Sequence, residues 1–186
     1  MKKIVLAAIA VMGFSFANAQ TTGFSKGDVF VSGAVGIGSE KTGDSKSNAF
    51  VLVPQVGYFV SENIAIGAKL GFASTKEGDN KTNDFTVGAF GRYYFTPASQ
   101  FSLYGQAGLD FTNSKEKPSD FKSNEVGANV GVGLSYFLSN HFAIEATWVG
   151  LGFSSNNNGG KGADKTNSFN FGTDLRDVRF GVSYKF

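Results

Sequence analysis

The chain has 186 residues, a formal net charge of +2, no cysteine, and 25 glycines and 20 phenylalanines against 3 prolines. One domain is the natural reading of that length, the missing cysteines exclude disulfides and thiolate metal sites, and charges of mixed sign exclude nucleic acid as a partner. A mean hydropathy of −0.08 is wrong for membrane-spanning helices but suits strands in which apolar and polar residues alternate.

Lys2 and Lys3 precede an apolar run from Ile4 to Phe16, and Ala17-Asn18-Ala19 then offers the small-x-small pattern of a signal-peptidase site. Residues 1–19 are predicted to be a cleaved signal peptide and residues 20–186 the mature domain, because the run is shorter than the roughly 20 apolar residues a spanning helix needs. After Gln20 no uninterrupted apolar stretch is long enough for such a helix, so any membrane span has to be built from strands.

Segments 27–39, 49–60, 64–74, 84–96, 101–112, 125–138, 142–154 and 168–186 read as strands by alternation and by their Val, Ile, Phe and Tyr content. In the third, Ile64, Ile66, Ala68, Leu70 and Phe72 share one face, and Ala65, Gly67, Lys69 and Gly71 the other. An apolar outer face over a small, polar inner one inverts the lipocalin pattern. Connections alternate between long polar stretches (Glu40–Asn48, Thr75–Asn83, Asn113–Asn124, Ser155–Asn167) and tight turns (Ser61–Asn63, Pro97–Gln100, Ser139–His141). All long connections therefore fall at one end of an up-and-down arrangement, and the fold class predicted is all-β: an eight-stranded antiparallel up-and-down transmembrane β-barrel.

Aromatic residues cluster at strand ends. Tyr58, Phe59, Tyr93, Tyr94, Phe95, Tyr136, Phe137, Tyr184 and Phe186 lie at the tight-turn end, and Phe50, Phe72, Phe85, Phe111, Phe153, Phe169 and Phe171 toward the long connections. Two aromatic belts are expected to flank a lipid-facing band. Two irregularities stand out: a change of parity in the last strand that predicts a bulge around Asp174–Asp177, and Pro54, which marks either a second bulge or a place where no ladder donor is required.

The face opposite the apolar residues carries Gln55, Lys69, Arg92, Gln106, Asp110, Asn129, Glu145, Asp177, Arg179 and Lys185. Eight strands leave an interior just wide enough for side chains. A lumenal polar network is predicted, with Lys69, Arg92, Gln106, Asp110, Glu145 and Arg179 at its centre, that fills and plugs the barrel; an ion path through the same residues is the alternative. Catalytic, cofactor-binding and metal-binding residues are expected to be none. His141, the single histidine, falls in a tight turn, without a nucleophile or a second metal ligand in evidence.

The ordered set of signal peptide, eight alternating segments, the Val56-Gly57-Tyr58-Phe59-Val60-Ser61-Glu62-Asn63 phrase at a tight turn and the terminal Tyr184-Lys185-Phe186 resembles the small eight-stranded outer-membrane barrels of the OmpX type and the OmpA transmembrane domain. That resemblance implies the Gram-negative outer membrane, with outer-membrane lipid around the barrel. It also implies that Val182, Tyr184 and Phe186 serve as the assembly signal read by the barrel assembly machinery. A peptidoglycan-binding domain of the OmpA kind is not expected. The function implied is a non-enzymatic envelope or surface-interaction role, with an extracellular ligand reached through the loops. The alternatives are a small channel or conduit for apolar solutes, as in the OmpW type, and a lipid-modifying outer-membrane enzyme.

Overall fold

A computed structural model describes residues 22–42, 45–160, 162–171 and 178–186 of the protein; the predicted signal peptide lies outside them. Its strands are β1 (Val29–Thr42), β2 (Ser45–Phe59), β3 (Ile64–Glu77), β4 (Asn80–Tyr94), β5 (Phe101–Lys117), β6 (Lys122–Phe137), β7 (Phe142–Asn156), β8 (Thr166–Phe171) and β9 (Arg179–Lys185). Each pairs antiparallel with its neighbours. Because β6 also pairs with β7, and β1 pairs with β9, the sheet closes on itself.

β8 and β9 are two parts of one eighth strand. The half of β7 from Leu151 to Asn156 pairs with β8, and the half from Phe142 to Thr147 pairs with β9. The expected bulge at Asp174–Asp177 falls outside the described residues. A second irregularity sits on β7 itself: Val130 faces Leu151 and Gly131 faces Val149, so Gly150 has no counterpart. Pro54 is not a bulge. The β2–β3 ladder lapses between Leu52↔Phe72 and Gln55↔Lys69 and resumes in the same register, as expected where the proline has no N–H to give.

The long polar connections need correction. The β1–β2 ladder runs on to Thr42↔Ser45, β3–β4 to Glu77↔Asn80, and β5–β6 to Lys115↔Lys122. Most of what reads as loop is therefore extended hairpin. Hydrophobic alternation ends where a strand leaves the lipid, whereas backbone hydrogen bonding requires no apolar side chain, so pairing outlasts the pattern that announces it.

One face of every strand is apolar and uncovered: Leu109 is 65% exposed, Phe153 51% and Phe180 71%. A continuous belt of such side chains is far larger than the patches a water-soluble monomer carries, and lipid is the solvent it suits. The opposite face turns into the barrel and forms its core. There Gly57 and Gly133 are required by their neighbours, since a Cβ would come within 2.2 Å of the Phe30 ring at the first and 2.3 Å of the Tyr104 ring at the second.

Candidate functional site

The barrel interior is the candidate site, and it is built in tiers. At the tight-turn end Phe24, from the segment before β1, is buried among Phe30, Phe59, Tyr94 and Phe137, with ring centroids 5.5, 4.7, 5.2 and 4.8 Å away. Its backbone N–H donates to Pro97 O at 2.7 Å, and Gly23, at φ 126°, packs where a Cβ would meet Pro97 and Ala98 at 2.5 Å. Residues 23–28 thus cross the mouth from β1 to the β4–β5 turn. Lys185 Nζ fastens this strap by donating to Gly23 O and lying 3.5 Å from Asp28 Oδ2.

This floor corrects the reading of the aromatic belts. Phe59, Tyr94 and Phe137 are fully buried and face inward, whereas Tyr58, Tyr93 and Tyr136 are exposed on the outside. Each pair is consecutive in sequence, and strand geometry sends consecutive side chains to opposite faces. Parity alone could have separated them. Phe24 offered no such signal, because it precedes the first strand.

Above the floor lies Arg92, whose side chain is fully buried. Its Nε donates to Gln106 Oε1 (2.8 Å), Nη1 to Tyr94 Oη (3.1 Å) and to both Glu145 carboxylate oxygens (3.2 and 3.3 Å), and Nη2 to Gln55 Oε1 (3.3 Å). Ser135 Oγ donates to Glu145 Oε1 at 3.2 Å, and the Tyr104 ring lies 4.4 Å from the guanidinium carbon. A buried ion pair needs its remaining donors and acceptors filled to offset desolvation, and the fork of Arg92 meets acceptors on three other strands.

Nearer the long hairpins the interior changes. Lys69 Nζ meets Asp110 Oδ1 at 3.0 Å, with side chains 13% and 21% exposed, and Asn129 Nδ2 donates to Asp110 Oδ2 at 2.8 Å. Past this pair several inward residues are small, among them Gly36, Val51, Gly71 and Gly152, before inward-parity carboxylates such as Asp84 and Glu125 follow. The structure therefore brings Arg92, Gln106 and Glu145 into one cluster and Lys69 with Asp110 into another. Arg179 joins neither; it is exposed at the start of β9. Asp177 lies outside the described residues.

On the closing strand, Val182 and Phe186 face outward at 42% and 63% exposure, and Ser183 is buried inside. The ring of Tyr184 packs on His141, Phe142 and Phe186 at 5.7, 5.8 and 5.0 Å. His141 ties the strand down: its Nδ1 is 2.8 Å from Lys185 O, and its carbonyl accepts from Lys185 N at 2.7 Å. β1 meets β9 only from Phe30↔Lys185 to Ala34↔Gly181, and among the described residues β1 from Val35 onward pairs with β2 alone. A space of about 940 Å3 opens there, bounded by Val35, Ile37, Val51, Phe169, Phe171 and Phe180.

Solved structures share this architecture. OprG of Pseudomonas aeruginosa is 16% identical, with 90% of this chain and 99% of that one covered and a TM-score of 0.55. The N-terminal β-barrel domain of Pseudomonas aeruginosa OprF is 19% identical (88% and 100% covered, TM-score 0.54), and Neisserial surface protein A is 18% identical (87% and 100%, TM-score 0.53). At such identities the likeness is one of fold. No curated protein matches the chain. The model of the outer membrane protein beta-barrel domain matches residues 6–186, and the chain belongs to that family.

Proposed function

We propose that this is a non-enzymatic protein of the outer membrane, delivered after cleavage behind Ala19, that contributes to envelope structure or surface contact and does not conduct ions. The observation that carries this reading is two buried tiers inside the barrel, the Phe24 cluster and, above it, the Arg92–Glu145 cluster. Short turns are periplasmic and long hairpins extracellular in barrels of this kind, so the lumen becomes a cup open to the outside. The engagement of His141 at the periplasmic rim supports a structural role for that ring. Val182, Tyr184 and Phe186, outermost on the closing strand, are the residues we assign to recognition by the assembly machinery. Planar-bilayer recording tests the closed lumen: the reading expects no steady unitary current, and a porin-like conductance overturns it.

A second reading is favoured by the space between β1 and β8, whose lining includes the apolar side chains of Val35, Ile37, Phe169, Phe171 and Phe180. A small apolar solute entering the cup could leave sideways into the membrane there without passing the Arg92 tier. Both readings expect electrical silence. Accelerated entry of an apolar fluorescent probe into vesicles that hold the protein, abolished by Gly36→Trp beside the gap, would favour the conduit.

A further inference from the structure

The descending strand of each long hairpin opens with the same phrase: Lys46-Ser47-Asn48-Ala49-Phe50, Lys81-Thr82-Asn83-Asp84-Phe85, Lys122-Ser123-Asn124-Glu125-Val126 and Lys165-Thr166-Asn167-Ser168-Phe169. The fold sets the four copies side by side around the barrel. Phe50, Phe85, Val126 and Phe169 are exposed on the lipid side, so strand alternation puts the asparagine of each copy, and Lys46, Lys81 and Lys122, on that same outer face, while Lys165 immediately precedes β8. The ascending strands answer in register: Phe72, Ser74 and Lys76 lie opposite Phe85, Asn83 and Lys81, and Phe111, Asn113 and Lys115 lie opposite Val126, Asn124 and Lys122. Hydrogen bonds close the middle row, from Ser39 Oγ to Asn48 Oδ1 (3.1 Å), Ser74 Oγ to Asn83 Oδ1 (3.2 Å) and Asn113 Nδ2 to Asn124 Oδ1 (2.9 Å).

The outer wall is thus layered: an apolar row, an amide-hydroxyl row, then a row of lysines set against lysines. Like charges placed directly across a ladder oppose folding, and Lys76↔Lys81, Lys81↔Lys117 and Lys115↔Lys122 do so repeatedly. Nearby carboxylates give little relief. Glu77, Asp84, Glu116 and Glu125 fall on the inward parity of the same strands, and among the described residues Lys115, paired with Asp120 at 2.9 Å, is the one lysine of the row in an ion pair. Four residues along a tilted strand place the lysines roughly 10 Å above the apolar row. Long lysine stems can bend back toward the interface, which brings their ammonium groups to the level of the outer-leaflet headgroups.

We propose that this fourfold row is a binding belt for the phosphate-bearing headgroups of the lipids around the barrel. Continuity with the lipid-facing surface selects a membrane partner over a soluble one, and the anion supplies the charge that the lysine pairs lack. The proposal holds whether or not the lumen conducts.

The test reconstitutes the full barrel in bilayers of phosphatidylcholine with a minority of phosphatidylglycerol and measures the lipids it retains on extraction into nanodiscs. Expected is a preference for phosphatidylglycerol of roughly fivefold or more at low salt, weakening as salt rises. The variant K46Q/K81Q/K122Q/K165Q loses most of it, and K46R/K81R/K122R/K165R, which keeps the charge, retains it. Equal retention of both lipids by the native chain, or an unchanged preference in the folded glutamine variant, overturns the belt. So does a preference abolished by inorganic phosphate at constant ionic strength, which assigns the site to a free anion. Lysine-dependent binding of a soluble sulfated polymer, without any lipid preference, also overturns it and assigns the surface to an extracellular polyanion.

Discussion

The two halves of the lumen share eight strands and one alternation of side chains, yet they are different materials. The tight-turn half is filled by Phe24, Phe30, Phe59, Phe137 and the hydrogen-bonded Arg92, all buried. The long-hairpin half carries many glycines and other small residues around a partly exposed Lys69–Asp110 pair. Backbone geometry is the same in both, so the size of the inward residue alone decides whether a barrel of this width is a core or a cup. In the closed half a polar group is in protein and its removal is costly; in the open half water can replace what is taken away.

The largest test of that contrast is Arg92→Ala, which leaves Glu145 buried and without its cation. It should cost about 3–5 kcal/mol in urea unfolding from lipid vesicles. Phe24→Ala removes the centre of the floor and should cost about 3 kcal/mol by the same measurement, yet produce no steady current while the Arg92 tier stands. Gly133→Ala drives a methyl group into the Tyr104 ring and should cost about 1–3 kcal/mol, whereas alanine at Gly152, around which a Cβ meets nothing within 4 Å, should be tolerated. The smallest effect is expected from Lys69→Ala, below about 1 kcal/mol, because Asp110 can turn to water. A cost for Lys69→Ala equal to that for Arg92→Ala would break the distinction between the halves. The absence of native cysteine allows a sharper map. A single cysteine at Gly36 should react with an impermeant thiol reagent added outside, and one at Ser102, fully buried in the tight-turn half, should not.

Much of this architecture is legible in the sequence, because lipid outside and close packing inside impose a period of two that sets such as Ile64, Ile66, Leu70 and Phe72 display openly. The hairpins were misjudged where lysine, asparagine and serine occupy the outer face beyond the lipid and the apolar signal stops. The Lys-Ser/Thr-Asn repeat, four times over, was the available clue that the strands continue. Arg92, Gln106 and Glu145 could be placed inside by parity, but their meeting depends on the stagger of strands across the barrel, which no local pattern encodes. Arg179 shows the limit of parity: at the start of β9 it is exposed although its parity reads as inward.

The strap carries a consequence for how the molecule comes together. Lys185 and Gly23 touch across 162 positions of chain, and Phe24 rests on rings supplied by β2, β4 and β6. Loop closure over such a distance comes at an entropic cost that is recovered only when the partners are already in place. The seat for Phe24 does not exist until the wall has curled round, so the segment ahead of β1 is among the last to find its position. The stopper and the ring closure then form as a single late event, with the segment ahead of β1 fastened to β9.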